Sequence, residues 1–157
     1  MAEREQPWVD GETRSGRIVV YAINPIAEAL KAIAEVAGRT VVLVDEEGGL
    51  ASVEGLQLVE GDSVVICDHD ASEAGQVLRH ALASPSSYVA MMASRRRAER
   101  LVPELEGEGQ AIETLHLPAG LNIGGKLPGE IALSVVAEIV AVSNGRPGGP
   151  HRADPGR

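Results

Sequence analysis

Apolar residues along this chain alternate between short continuous runs and stretches with helical spacing. Arg17 to Ile23 (RIVVYAI) is a continuous β-branched run, which predicts a strand buried on both faces, as in a parallel sheet. Asn24 is a suitable N-cap and Pro25 a suitable first helical residue, after which Ile26, Leu30, Ile33 and Ala34 share one face until Gly38 stops the helix. Thr40 to Glu47 then reads as a second buried strand, and the three pieces make a β-α-β unit with a right-handed crossover. Leu56 to Glu60 reads as a short edge strand, Ser63 to Cys67 as a firm one, and Ala71 to Ala83 as a helix with Asp70 and Glu73 at capping-box spacing. Ser87 to Ala93 is the next strand; Ser94 caps a helix through Arg95, Arg97 and Arg100 to about Leu105. Pro128 opens a last helix through Ile131, Val135, Val136, Ile139 and Val140. Residues 1–16 are polar and aperiodic, and 144–157 are rich in Gly, Pro and Arg, so both read as flexible ends. Residues 17–143 are therefore expected to form a doubly wound α/β domain, with a mostly parallel sheet and helices on both faces. In such a domain ligands bind beyond the carboxyl ends of the strands, where the winding reverses.

Composition narrows the classes of function. The chain has 157 residues, 14 Lys and Arg against 23 Asp and Glu, a formal charge of −9, no phenylalanine, and only Trp8, Tyr21 and Tyr88 as aromatics. That length suits one domain with an aliphatic core. Net negative charge and few stacking rings argue against a nucleic-acid binder. The lone Cys67 cannot form an internal bridge, and the histidines and cysteine lack metal-ligand spacing, so neither a disulfide scaffold nor a metal site is expected. No apolar run approaches a membrane span and the first residues contain no apolar signal core, which leads to the expectation of a cytoplasmic protein.

The strand ends carry the candidate chemistry. Asp45 stands roughly twenty residues beyond the first strand-helix turn, where dinucleotide-binding domains place an acid for a ribose hydroxyl; an exposed turn carboxylate is the plainer reading. The first turn, Tyr21 to Ile26, contains no glycine, and Pro25 removes an amide donor, which counts against NAD(P) binding. Cys67-Asp68-His69-Asp70 ends the third firm strand. His69 suits a proton donor, a phosphate contact or a loop residue, and burial beside an acid disfavours a Cys67 thiolate. Ser94-Arg95-Arg96-Arg97 joins a helix start, which attracts anions, to guanidiniums that fork onto phosphate, although cations there oppose the helix dipole. In His116 to Pro128, Gly124 and Gly125 permit close backbone approach and Lys126 can reach an anion; a tight structural connection is the alternative.

Three segments together carry a family resemblance: Cys67 to Asp70, Tyr88 to Arg97, and His116 to Pro128 followed by Glu130-Ile131-Ala132 and Ala137-Glu138-Ile139. They resemble the Rossmann-type domain of the XdhC family, maturation factors for xanthine dehydrogenase and related molybdenum hydroxylases, over roughly Arg17 to Val142. The resemblance implies binding of molybdenum cofactor, its sulfuration with a cysteine desulfurase, and delivery to the apo-hydroxylase. It also implies an additional N-terminal domain, for which residues 1–16 leave no room. In the family the first turn resembles Gly-Ala-Gly-His-Val-Ala, so Tyr21 to Ile26 has lost both glycines and the histidine. Threonine is usual where Asp68 stands, glycine at Ala90 and Ala93, and aspartate often at Asn122.

Three readings follow. The first is a non-catalytic accessory protein in which Ser94, Arg95, Arg96, Gly124, Gly125 and Lys126 hold a phosphate-bearing cofactor, with His69 and Asp70 nearby. The second is an NAD(P)-dependent oxidoreductase with Asp45 on the ribose. The third is a degenerate Rossmann-type domain kept as an interaction or dimerisation module, which a turn filled by Tyr21 would favour. A homodimer is left open by all three.

Overall fold

The computed structural model describes residues 16–153, so the ends at 1–15 and 154–157 lie outside the described residues. Five strands, β1 (Arg17–Tyr21), β2 (Thr40–Val44), β3 (Ser63–Ile66), β4 (Tyr88–Met91) and β5 (Leu115–His116), form one sheet in the order β2-β1-β3-β4-β5. Every neighbouring pair is parallel. The helices are α1 (Pro25–Val36), α2 (Gly49–Glu54), α3 (Ala74–Ala83), α4 (Arg95–Gly107) and α5 (Pro128–Ser143). The chain moves outward from β1 to β2, crosses back to β3 on the other side of β1, and continues to β4 and β5. The winding therefore reverses between β1 and β3, and the crevice beyond their carboxyl ends is the topological switch point.

The apolar runs divide alternately between two faces, because successive strand side chains point to opposite sides. Val19, Tyr21, Val64, Ile66, Val89 and Met91 bury against Val53 of α2, Val77 and Leu78 of α3 and Leu105 of α4. Ile18, Val20, Val65, Tyr88 and Ala90 bury against Leu30 and Ala34 of α1 and Val135 and Ile139 of α5. Burial of each aliphatic side chain contributes on the order of 2 kcal/mol, and this layered sandwich is what two aromatics and no phenylalanine suffice to fill. Asn24 caps α1 as expected, its side chain accepting from the Ala27 amide at 2.9 Å. Just before β2, Arg39 donates to Ser143 Oγ at the end of α5 at 2.7 Å, which sets the start of α5 at the carboxyl edge of the sheet.

Two local expectations are corrected. Leu56 to Glu60 is not a strand. Arg17 donates to the Leu56 carbonyl at 3.0 Å, the Val59 amide donates to the buried Asp62 carboxylate at 2.9 Å, and Gln57 lies at φ +52°. The backbone groups a ladder would use are committed to the Arg17–Asp62 pair, while Leu58 turns into the core. Asp70 and Glu73 do not form a capping box. Glu73 sits at φ +59° before α3 and its carboxylate accepts from the Leu50 amide at 2.6 Å, so the helix starts at Ala74.

Asp62, 1% exposed, joins three parts of the chain: it accepts from the Arg17 amide at 2.9 Å, from the Arg17 guanidinium at 2.7 Å and from the Val59 amide. Burial alone would raise its carboxyl, but the hydrogen bonds from Arg17 and Val59 outweigh that and hold it below the usual carboxylate range. Asp62→Ala is expected to cost about 3 kcal/mol in urea unfolding, because it strands a guanidinium and two amides. A depressed carboxyl stabilises the fold above its unfolded pKa and loses that contribution as pH falls through the folded one. The stability gap between wild type and Asp62→Asn is therefore expected to hold from neutral pH to about pH 5 and to shrink below about pH 4. At exposed Gln57, replacement by glycine is expected to raise stability by roughly 0.5 to 1 kcal/mol, since relief of the left-handed backbone exceeds the added chain entropy.

Candidate functional site

The carboxyl edge of the sheet has two unlike halves. At the switch point the crevice between β1 and β3 is closed by the chain itself. Tyr21 is fully buried and its hydroxyl donates to the Ser72 carbonyl, in the loop after β3. Burial first, then the charges of Glu73, Glu46 and Asp45, push the Tyr21 hydroxyl above its ordinary pKa, so it remains a donor. On the other side Asn24 Nδ2 donates to the Cys67 carbonyl at 3.0 Å, linking the start of α1 to the end of β3. Ala22 between them lies at φ +75°, its N–H donating to the Val44 carbonyl at 3.0 Å, and is 4% exposed.

Several of the amides that could greet a phosphate at such a crevice are already committed. Pro25 has none, and Ala27 donates to Asn24. In the loop after β3, Asp70 donates to Asp68 Oδ1 at 2.8 Å and Ser72 to Glu46 Oε2 at 2.9 Å. The Leu50 amide at the start of α2 donates to Glu73. Asp45 is exposed, and its carboxylate accepts from the Glu47 amide at 2.9 Å, capping a single 3-10 turn at Glu46–Gly48. Internal carboxylates thus occupy four of the backbone amides around this half of the edge.

His69 lies on this half, its Nδ1 3.8 Å from Asp68 and 3.7 Å from Asp70, longer than hydrogen bonds. Asp68, His69 and Asp70 are the one place among the described residues where three such donor groups converge, their ligand atoms within 4.8 Å of one another. Both acids are exposed and all three belong to one turn. Cys67 is buried, and its thiol is pushed up to about 12 by burial first and the Asp68 charge second, which removes the thiolate needed for sulfur chemistry at neutral pH.

The half beyond β4 is open and cationic. Ser94 caps α4 by accepting from the Arg97 amide at 3.1 Å. Arg95, Arg96 and Arg97 are exposed, with neither an ion pair nor a side-chain hydrogen bond among the described residues, and the Arg95 and Arg96 amides at the helix start are unpaired there as well. The loop leaving β5 crosses the end of β4, where Ala119 donates to the Met91 carbonyl at 3.2 Å, and then runs to the start of α5. Along it Gly124 adopts φ +76°, and a Cβ on Gly125 would meet Glu130 Cβ at 2.4 Å, so the chain needs glycine there for close approach. The neighbour is this chain's own Glu130, whose carboxylate accepts from the Lys126 and Leu127 amides, each at 3.3 Å. That leaves the exposed Lys126 ammonium, rather than the glycine backbone, as the anion-seeking group of this segment. Of the sequence candidates, Ser94, Arg95 and Arg96 share the start of α4, while Gly124, Gly125 and Lys126 precede the start of α5, which packs on the opposite face of the sheet. Asp45, His69 and Asp70 belong to the acidic half. Glu130 stood in the sequence at a capping position, whereas nothing local pointed to Glu46 or Glu73 as partners of distant amides.

Residues 18–139 match the family model of the XdhC Rossmann domain. The chain belongs to that family. The uncharacterized protein YqeB of Escherichia coli (strain K12) is 34% identical over 113 residues, which is 70% of this chain and 20% of YqeB. A crystal structure described as a xanthine dehydrogenase from Bacillus halodurans superposes with a TM-score of 0.67 at 20% identity, over 89% of this chain and 45% of that one. The chain thus spans a fifth of YqeB and less than half of the solved chain. At the first turn this XdhC domain keeps the strand-turn-helix path, with Tyr21 and Asn24 bonding across the crevice.

The buried, high-pKa thiol of this XdhC domain yields a direct test. Cys67 is expected to resist iodoacetamide at pH 8 in the native protein and to be alkylated within minutes in denaturant, as read by intact mass. Rapid native labelling would contradict the burial described here.

Proposed function

We propose that this chain is a non-catalytic accessory protein in the maturation of a molybdenum hydroxylase, presenting a phosphate-bearing cargo, the molybdenum cofactor, on the cationic half of its carboxyl edge. The observation that carries the reading is the start of α4: three guanidiniums and two amides beside Ser94 that have no partner among the described residues, in a chain of net charge −9. A helix start with forked cations suits a phosphate monoester, and the cargo's pterin bears one. Family membership supplies the maturation context, in which a cysteine desulfurase would sulfurate the cargo and the apo-hydroxylase would receive it. Residues Arg95, Arg96 and Lys126 would hold the phosphate; Ser94 keeps the helix start in place. Cys67, buried with its thiol raised, is no sulfur carrier in this reading.

A second reading, a domain retained as an interaction module, draws on the closed crevice at Tyr21 and Asn24. A cavity of about 680 Å³ also lies between Ile33 and Ala37 of α1, Leu133, Val140 and Ala141 of α5, and the segment Arg146–Ala153 that runs across it. The same closed crevice argues against NAD(P).

Isothermal titration with molybdenum cofactor released from a purified hydroxylase is expected to show saturable binding, weakened at least tenfold by Arg95→Ala/Arg96→Ala with an unchanged melting temperature. Millimolar NADH and NADPH are expected to give no heat. If the wild type binds no cofactor yet co-purifies with a hydroxylase, the interaction-module reading replaces the first; if it does neither, the accessory role is lost.

A further inference from the structure

A half-buried carboxylate on α5 lies outside the ligand reading. Glu138 sits three turns into α5, its side chain 15% exposed, among the buried Val135, Val136 and Ile139. A charge in such a place is costly unless its oxygens are satisfied. They are. Oε1 accepts from the Tyr88 hydroxyl at 2.6 Å and from the Gly120 amide at 3.1 Å, and lies 3.5 Å from His116 Nδ1. His116 stacks on Tyr88, ring centres 4.4 Å apart and planes 20° from parallel. One oxygen atom therefore meets groups from β4, β5 and the loop that follows β5.

The loop is pressed to α5 at the same point. Gly120 adopts φ +98°, and a Cβ there would meet Ser134 Oγ at 2.3 Å; the next amide, Leu121, donates to the Ser134 carbonyl at 3.2 Å. Beyond Leu121 the bonds are local, Ile123 to Leu121 O and the two amides on Glu130. The free arc from Asn122 to Lys126 thus begins where Glu138 lets go of the chain.

We infer that Glu138 is a positioning residue, which clamps Gly120 and His116 against Tyr88 so that the arc carrying Lys126 is held at the carboxyl edge of the sheet. The ligand half of this inference rests on the reading of the preceding subsection; the clamp does not.

The test compares Glu138→Ala, Glu138→Gln and Tyr88→Phe in the full chain by hydrogen exchange and by titration with molybdenum cofactor. Glu138→Ala is expected to speed exchange in residues 117–127 about tenfold while β1 and α1 change less than about twofold, and to weaken cofactor binding about tenfold. Glu138→Gln keeps an acceptor for Tyr88 and Gly120 and is expected to recover most of both. Tyr88→Phe keeps the stacked ring and loses one donor, so it gives a smaller loosening confined to the same loop; it also serves if Glu138→Ala does not fold. Faster exchange spread over the whole sheet, or no change in the loop, overturns the clamp. A loosened loop with undiminished binding overturns the positioning of Lys126. A wild type that binds no cofactor defeats the ligand reading alone, and the exchange data still decide the clamp.

Discussion

The Tyr21 hydroxyl, donated to the Ser72 carbonyl, is the bond on which the character of this domain turns. A doubly wound sheet leaves a crevice where its winding reverses, and that crevice must be filled by a ligand, by water or by the chain. Here the end of β1 sends a large ring beneath it and Asn24 bridges it above. With the switch point occupied from within, the two helix-start amides of Arg95 and Arg96 that have no partner among the described residues lie farther along the sheet edge, beyond β4.

The same economy governs the charges. Acids outnumber bases by nine, yet many of the acids are not free surface charge. Asp62, Glu46, Asp68, Glu73, Glu130 and Glu138 each accept at least one backbone amide, five of them over an irregular segment that no ladder or helix would satisfy. Carboxylates accept such bonds strongly, which lets short, glycine-flanked connections hold one shape. Glu108 and Glu104 engage Arg79 in the same spirit on the surface, although pairs so exposed add little to stability. Among the described residues, Arg95, Arg96 and Arg97 of α4 have no such partners.

The elements whose signals are local were legible in the sequence. β1 and β3 announce themselves as continuous β-branched runs, α1 by Asn24 and Pro25, α4 by Ser94, and α5 by Pro128 and its apolar period. What escaped depends on contacts distant in the chain. The segment around Leu58 looked like a strand because its residues are apolar, but Arg17 and Asp62, 45 positions apart, draw its backbone into a turn. Helix α2 spans only Gly49–Glu54, shorter than any useful period, and Glu73 left its own helix to serve the amide of Leu50. The candidate site was legible to the same extent: Ser94, Arg95 and Arg96 were found because one helix start contains them. The Tyr88, His116 and Glu138 cluster was not, since those residues come from three elements and share no spacing.

One feature of the carboxyl edge reaches beyond its own residues. Asp45, Glu46, Glu47, Asp68 and Asp70 crowd one half, and Arg95, Arg96, Arg97 and Lys126 the other. The edge is thus an electric dipole lying in its own plane, across a face wider than the roughly 8 Å over which physiological salt screens charge. An anion approaching along the strand axes meets repulsion on one flank and attraction on the other, so it is turned before contact is made. Orientation would then be decided in the encounter rather than by a search on the surface, and the rate of that encounter would slow as ionic strength rises.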